Sequence, residues 1–239
     1  MSPIPPHFHT YTQKEDLAHA LAASVAQVLA EQLLEQEIVS LAVSGGRTPE
    51  RFFATLAAYP LAWSSIVITL VDERWVPSSS PRSNEALVRK NLLIDQAQKA
   101  LFIPLHASHI PTPEEGCKII NNSLEERLPL PFGAVILGMG EDGHTASFFP
   151  GAENLSTALD MNTTDYVAPI RAEAAGEPRI TLTLPTLLNT RHLFLHFEGE
   201  AKKAVYDQAQ AEAQESCATH PIGVVLQHAP IRTQVFWCP

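Results

Sequence analysis

Three short segments of the 239-residue chain collect the residue types that chemistry needs. The segment Gly138-Met139-Gly140-Glu141-Asp142-Gly143-His144-Thr145-Ala146-Ser147 sets two acids and a histidine among three glycines. Histidine is the side chain best suited to proton transfer near neutral pH, and glycine lets the backbone approach a ligand. The pattern points to acid–base chemistry centred on His144, against the blander reading of a turn with an incidental histidine. Asp142 and His144 do not make a metal set by themselves, and neither H-E-x-x-H nor P-C-x-x-C occurs. The pairs His7/His9 and His106/His109 are expected to be surface or loop histidines.

The second segment is Ser44-Gly45-Gly46-Arg47-Thr48-Pro49. Two glycines before a helix start suit an anion bound by backbone N–H groups, although a simple capped turn has the same look. It is neither a Walker loop nor G-x-G-x-x-G. The third is Asp72-Glu73-Arg74-Trp75-Val76-Pro77, followed by Arg82-Ser83-Asn84. Asp72 and Arg74 are two apart, so they share a face if strand geometry persists and are then able to order each other. Asn84 stands near a helix start, where a capping role is the alternative. Arg179 and Lys202 are the cations elsewhere that would complete an anion site.

These segments need elements to hold them. Apolar residues at 17, 21, 25, 28, 29 and 33 mark one helix face, with Thr12 and Glu15 as an expected capping box. Ile38 to Val43 is a predicted buried strand, and Thr48-Pro49 an expected cap and first position of a helix through about Ala58. The alternation continues with a strand at Ile66 to Val71, a helix at Asn84 to Leu93 behind Ser83, a strand at Leu101 to Ile103 and a helix at Pro113 to Arg127. Further strands are predicted at Ala134 to Leu137, Tyr166 to Ile170, Ile180 to Leu184, Leu193 to Phe197 and Gln234 to Trp237, with a helix at Glu200 to Ala213. Strands that are apolar throughout and alternate with helices indicate an α/β protein with a mainly parallel sheet covered on both faces. No linker or repeat divides the chain, so one domain over 1–239 is expected.

Composition narrows the class. With 26 acidic and 16 basic residues the net charge is -10, which disfavours non-specific nucleic-acid binding. Apolar residues make up 45% and charged ones 18%, as in an ordinary globular protein. Three cysteines without a C-x-x-C pair suggest neither a disulfide framework nor zinc, and a reducing compartment fits best. Met1 to Thr10 lacks the basic start and apolar stretch of a signal peptide, and no apolar run is long enough for a membrane span. A cytoplasmic protein with no membrane or nucleic-acid partner is expected.

Taken together, SGGRTP at 44–49, DERWVP at 72–77 with Ser83-Asn84, and GMGEDGHTAS at 138–147 resemble the 6-phosphogluconolactonase family, with Pro178-Arg179-Ile180-Thr181 and Gly199-Glu200-Ala201-Lys202 also similar. The resemblance implies a modified Rossmann-like three-layer α/β sandwich, a fold shared with glucosamine-6-phosphate deaminases. It further implies hydrolysis of 6-phospho-D-glucono-1,5-lactone to 6-phosphogluconate, the second step of the oxidative pentose phosphate pathway, without metal or organic cofactor. The related deaminases carry an acid in G-H-x-A-x-x-E-P; here Phe149 replaces it, which argues for the lactonase branch.

On this reading His144 is the general base and then acid, Asp142 either orients it or only shapes the loop, and Arg74 or the glycine-rich backbone stabilises the oxyanion. Asp72 either fixes Arg74 or binds sugar hydroxyls. Ser44, Gly45, Gly46, Arg47, Thr48, Asn84, Arg179 and Lys202 are the expected substrate and phosphate residues. Two alternatives are a covalent hydrolase using Ser44, weakened by Ala42 at the first position of G-x-S-x-G, and a sugar-phosphate-binding regulator without turnover. The sugar-phosphate lactone is the expected partner of a monomer or small homo-oligomer.

Overall fold

The computed structural model describes residues 3–239, so Met1 and Ser2 of the N-terminal stretch lie outside the described residues. In chain order the elements are β1 (His7–Thr10), α1 (Lys14–Gln32), β2 (Val39–Val43), α2 (Glu50–Ala57), β3 (Ile66–Leu70), β4 (Asp72–Arg74), α3 (Asn84–Asn91) and β5 (Leu101–Ile103). There follow α4 (Pro113–Arg127), β6 (Ala134–Leu137), α5 (Leu155–Leu159), β7 (Val167–Ile170), β8 (Arg179–Leu182), α6 (Leu184–Leu188), β9 (Leu193–Glu198), α7 (Glu200–Gln214), α8 (Pro221–His228) and β10 (Gln234–Cys238).

Seven strands form one sheet in the order β1-β10-β9-β6-β2-β3-β5, and every neighbouring pair is parallel. All five residues of β2 and of β3 are buried. Successive side chains of a strand point to opposite faces, so burial at every position means that both faces are covered. The protein is therefore an α/β sandwich of Rossmann type, as the alternation of apolar strands and helices requires. The chain runs outward from β2 through β3 to β5, then returns to the other side of β2 and continues through β6, β9 and β10. The strand order thus reverses between β2 and β6, and in such sheets the carboxyl ends flanking the reversal frame a crevice.

Several local expectations need correction. No capping box forms at α1: Gln13 is the N-cap without a side-chain bond, and Glu15 turns to Arg51 at 2.8 Å instead. Helix α2 starts one residue later than expected, with Pro49 as N-cap and no cap bond from Thr48. His7 is exposed, in keeping with a surface histidine, whereas His9 is half-buried; both belong to β1, which pairs with β10, and His9 hydrogen-bonds Gln234 at 3.0 Å. The strand predicted through Leu184 ends at Leu182, where α6 takes over with Pro185 in its first turn. Strands β7 and β8 do not join the main sheet: with β4 they form a second, antiparallel sheet in the order β4-β8-β7. Helix α8 was not expected either, because Pro221-Ile222-Gly223-Val224-Val225 has weak helix propensity; packing on α7, where Gly223 meets the Ala209 backbone, overrides it. Among the described residues no helix is long and apolar enough to cross a membrane.

Candidate active site

A cleft of about 320 Å³ opens at the β2/β6 reversal. Its walls come from the carboxyl ends of β2, β3, β6 and β9, which is why segments far apart in sequence meet there. Ser44, Gly45, Gly46, Arg47, Thr48, Asp72, Arg74, Asn84, His144, Arg179 and Lys202 all line it. Asp142 joins through His144: its Oδ1 lies 2.5 Å from His144 Nδ1 and also accepts the His144 backbone N–H at 3.1 Å. Burial raises the Asp142 carboxyl, but the imidazole and backbone N–H of His144 more than offset it, and the group ends below its ordinary value. With Nδ1 engaged, Nε2 is the ring nitrogen left for chemistry. Gly140 makes room for this pair, since a Cβ there would stand 2.2 Å from Nδ1.

Asp72 and Arg74 lie on β4, where strand geometry does persist, yet they do not bond each other. Asp72 Oδ2 accepts from Ser147 Oγ at 2.5 Å and lies 3.6 Å from Arg179 Nη1, while Asn84 Nδ2 donates to the Asp72 carbonyl at 2.8 Å. Arg74 Nη1 donates instead to Asn84 Oδ1 at 2.6 Å and to the Arg82 carbonyl at 2.7 Å. Asn84 is thus the link between the two and not a cap; Ser83 caps α3 by accepting from Ala86 N–H. Gly45 is obligatory beside it, because a Cβ would fall 1.8 Å from Asn84 Oδ1.

The antiparallel pairing of β4 with β8 sets Arg74 directly opposite Arg179. Like charges opposite each other are unfavourable, and Nε of both guanidiniums is buried without a partner. Arg179 also donates to the Ala175 carbonyl at 3.1 Å and stacks over Phe149 at 5.4 Å. The Phe149 ring is 4.4 Å from that of His144, so the residue standing where the deaminase pattern has an acid fills the space between His144 and Arg179. Burial lowers the proton affinity of Lys202, which Glu141, Glu198 and Asp142 partly restore. Lys202 has no ion-pair partner among the described residues.

Contacts from the 74–82 segment hold the end of the loop 172–178. Arg82 ion-pairs with Glu177, and the Trp75 backbone N–H donates to the Pro178 carbonyl at 2.8 Å. Sequence reasoning missed His196, a buried residue of β9 that lines the cleft. Its one signal was a polar residue inside the apolar run Leu193-Phe194-Leu195-His196-Phe197. Among the described residues Ser44 Oγ makes no hydrogen bond to a histidine, the contact that the covalent alternative requires, and no cluster of three or more His, Cys, Asp or Glu side chains is placed to hold a metal.

A parallel α/β sheet with a crevice at its reversal, lined by arginines, a lysine and glycine-rich backbone and flanked by a histidine–aspartate pair, defines a Rossmann-like α/β protein with a polar cleft at the switch point of its sheet. The family model described as glucosamine-6-phosphate isomerases/6-phosphogluconolactonase matches residues 12–237. The 6-phosphogluconolactonase of Mesorhizobium japonicum is 44% identical over 233 residues, covering 98% of this chain and 95% of that one. The 6-phosphogluconolactonase of Rhizobium meliloti is 43% identical, with 98% and 99% covered. The crystal structure of a 6-phosphogluconolactonase from Shewanella baltica superposes with a TM-score of 0.92 at 36% identity and covers 100% of both chains. The chain belongs to the glucosamine-6-phosphate isomerase/6-phosphogluconolactonase family.

Proposed function

We propose that the protein is a lactone-hydrolysing enzyme that converts 6-phospho-D-glucono-1,5-lactone to 6-phosphogluconate, with His144 moving the protons. Membership of the family and the relatives' activity support lactone hydrolysis in the pentose phosphate pathway. The observation that carries the mechanism is the short Asp142–His144 contact at the mouth of the crevice. A proton held on Nδ1 by Asp142 leaves a lone pair on Nε2, which takes a proton from the attacking water. Asp142 then stabilises the imidazolium, which returns the proton to the departing ring oxygen. The carbonyl oxygen becomes negative in between, and Arg74 or the amides of the 138–144 loop supply the compensating donors.

The phosphate is assigned to the amides of Gly45, Gly46 and Arg47, with Thr48, Lys202 and Arg179. The opposed guanidiniums of Arg74 and Arg179 support this reading, because a repulsive pair facing a cleft is relieved when an anion enters. Asp72 and Asn84 hold the two arginines in place. Anchoring the phosphate orients the ring against His144, and such positioning supplies several kcal/mol of barrier reduction.

The test generates the lactone in situ and follows its loss with wild type, with His144→Ala and without protein, since the lactone also opens in water. Fast loss with wild type and background loss with folded His144→Ala is expected. Background rates with both sink the activity, whereas a wild-type rate in His144→Ala sinks only the role of His144. Wild-type kinetics in Arg179→Ala and Lys202→Ala overturn the phosphate assignment.

A further inference from the structure

Strand β9 delivers to the cleft a side chain that lies outside every motif. His196 is 3% exposed, and it forms part of the cleft wall with Ser44, Gly138 and Lys202. Buried ring nitrogens nearly always have a partner, but His196 Nε2 has none at hydrogen-bond distance. Its nearest charged neighbour is Glu198 Oε1 at 3.7 Å. Glu198 is two residues along and so on the same face of β9, and it is held from behind by Lys14 Nζ of α1 at 2.8 Å. An apolar side chain would fill a core position in this strand without an unpaired nitrogen, so packing does not account for a histidine here.

The charges around the ring are few. Glu198 faces it from its own strand, Lys14 of α1 stands behind Glu198, Lys202 of α7 shares the cleft wall and acts on it through its charge, and Cys238 of β10 lies beside Glu198. Burial lowers the proton affinity of the imidazole, Glu198 raises it and Lys202 lowers it again, with a net lowering. A phosphate dianion arriving at Lys202 cancels the field of that ammonium and adds negative charge in front of the ring. The imidazole then stands between a carboxylate and a phosphate, an arrangement that gives both ring nitrogens an acceptor and favours the imidazolium.

We propose that His196 is a phosphate-binding residue of the cleft that takes up a proton as a phosphate monoester binds, with Glu198 as its counter-charge. The inference rests on the substrate reading above and adds a residue and a proton to it. No covalent bond changes; one proton passes from solvent to the ring on binding and returns when the ligand leaves. Affinity for the phosphorylated ligand therefore falls as pH rises, by up to about tenfold per pH unit once the free imidazole is neutral.

The experiment titrates the stable product 6-phosphogluconate into the protein by calorimetry at pH 8, where the phosphate is already dianionic, in two buffers of different ionisation enthalpy. Wild type is expected to take up protons on binding. His196→Phe, and His196→Asn in case the larger ring disturbs folding, are expected to bind about tenfold more weakly or worse and to lose that uptake. A purely structural histidine would leave the uptake intact. Wild-type affinity and uptake in either folded variant, or no uptake in wild type, overturns the proposal. Proton-linked binding that disappears in His196→Asn, in a protein that does not accelerate lactone opening, upholds the phosphate site while refuting the substrate reading.

Discussion

Replacing Glu73 by glutamine tests how the site is anchored. Glu73 is fully buried, and its carboxylate accepts four hydrogen bonds. Oε1 takes the N–H groups of Arg74 and Asn84, both at 2.7 Å, and Oε2 takes the Glu85 N–H at 2.8 Å and Ser83 Oγ at 2.9 Å. Burial pushes this carboxyl above its ordinary value while the four donors pull it back. In Glu73→Gln the amide NH₂ must face two of those donors. The better orientation turns it toward Ser83, whose hydroxyl can accept, and abandons the Glu85 N–H. One unmade buried N–H bond costs about 1–3 kcal/mol, and the remaining bonds lose their charge assistance. The sum is roughly 3–4 kcal/mol, and at about 2–4 °C per kcal/mol for a chain of this size the melting temperature should fall by about 6–16 °C. Thermal unfolding followed by circular dichroism at pH 7 measures it. A change below about 2 °C would mean that no anionic acceptor sits at this position, and the anchoring argument for Arg74 and Asn84 would fail with it.

Asp142→Asn keeps an oxygen for His144 but removes the charge that steadies the imidazolium. As the pair is partly exposed, about 1–2 kcal/mol is lost, so kcat should drop about 5- to 30-fold with KM little changed; a wild-type kcat in steady-state assays would reduce Asp142 to a loop-shaping residue. Glu198 gives a pH-dependent signature. The His196 ring at 3.7 Å, once protonated in acid, and Lys14 at 2.8 Å hold its carboxyl down to about 2 against the effect of burial, so its contribution to stability is complete above the unfolded value near 4.3 and is lost as pH falls from about 5 toward 2. The melting-temperature gap between wild type and Glu198→Gln should therefore close over that range, and a gap constant from pH 7 to pH 3 would contradict it.

Much of the architecture was legible because local chemistry agrees with it. Helix α4 and strands β5 and β6 fall where the sequence pattern puts them: α4 runs over the expected Pro113–Arg127, where the structure adds Thr112 as its cap, and Ala134–Leu137 is buried at every position. The pieces that escaped are those whose stability comes from distant partners. Strand β4 is three residues long and exists because β8, more than 100 residues away, pairs with it. Helix α8 overrides a poor local sequence by packing on α7, and β1 is an edge strand that exists through β10.

The candidate site divides along the same line. By themselves the residues determine the kinds of group present: glycines that admit a backbone turn, a histidine with an acid two residues before it, and arginines and a lysine in an acidic chain. The i, i+2 spacing of Asp142 and His144 is short enough for the sequence to contain their contact. Only the tertiary structure decided that Asp72 pairs with Arg179 and Ser147 instead of Arg74, that Asn84 links Arg74 to Asp72, and that His196 reaches the cleft. Those contacts depend on which strands become neighbours and where the strand order reverses, which side-chain spacing along a single strand does not encode.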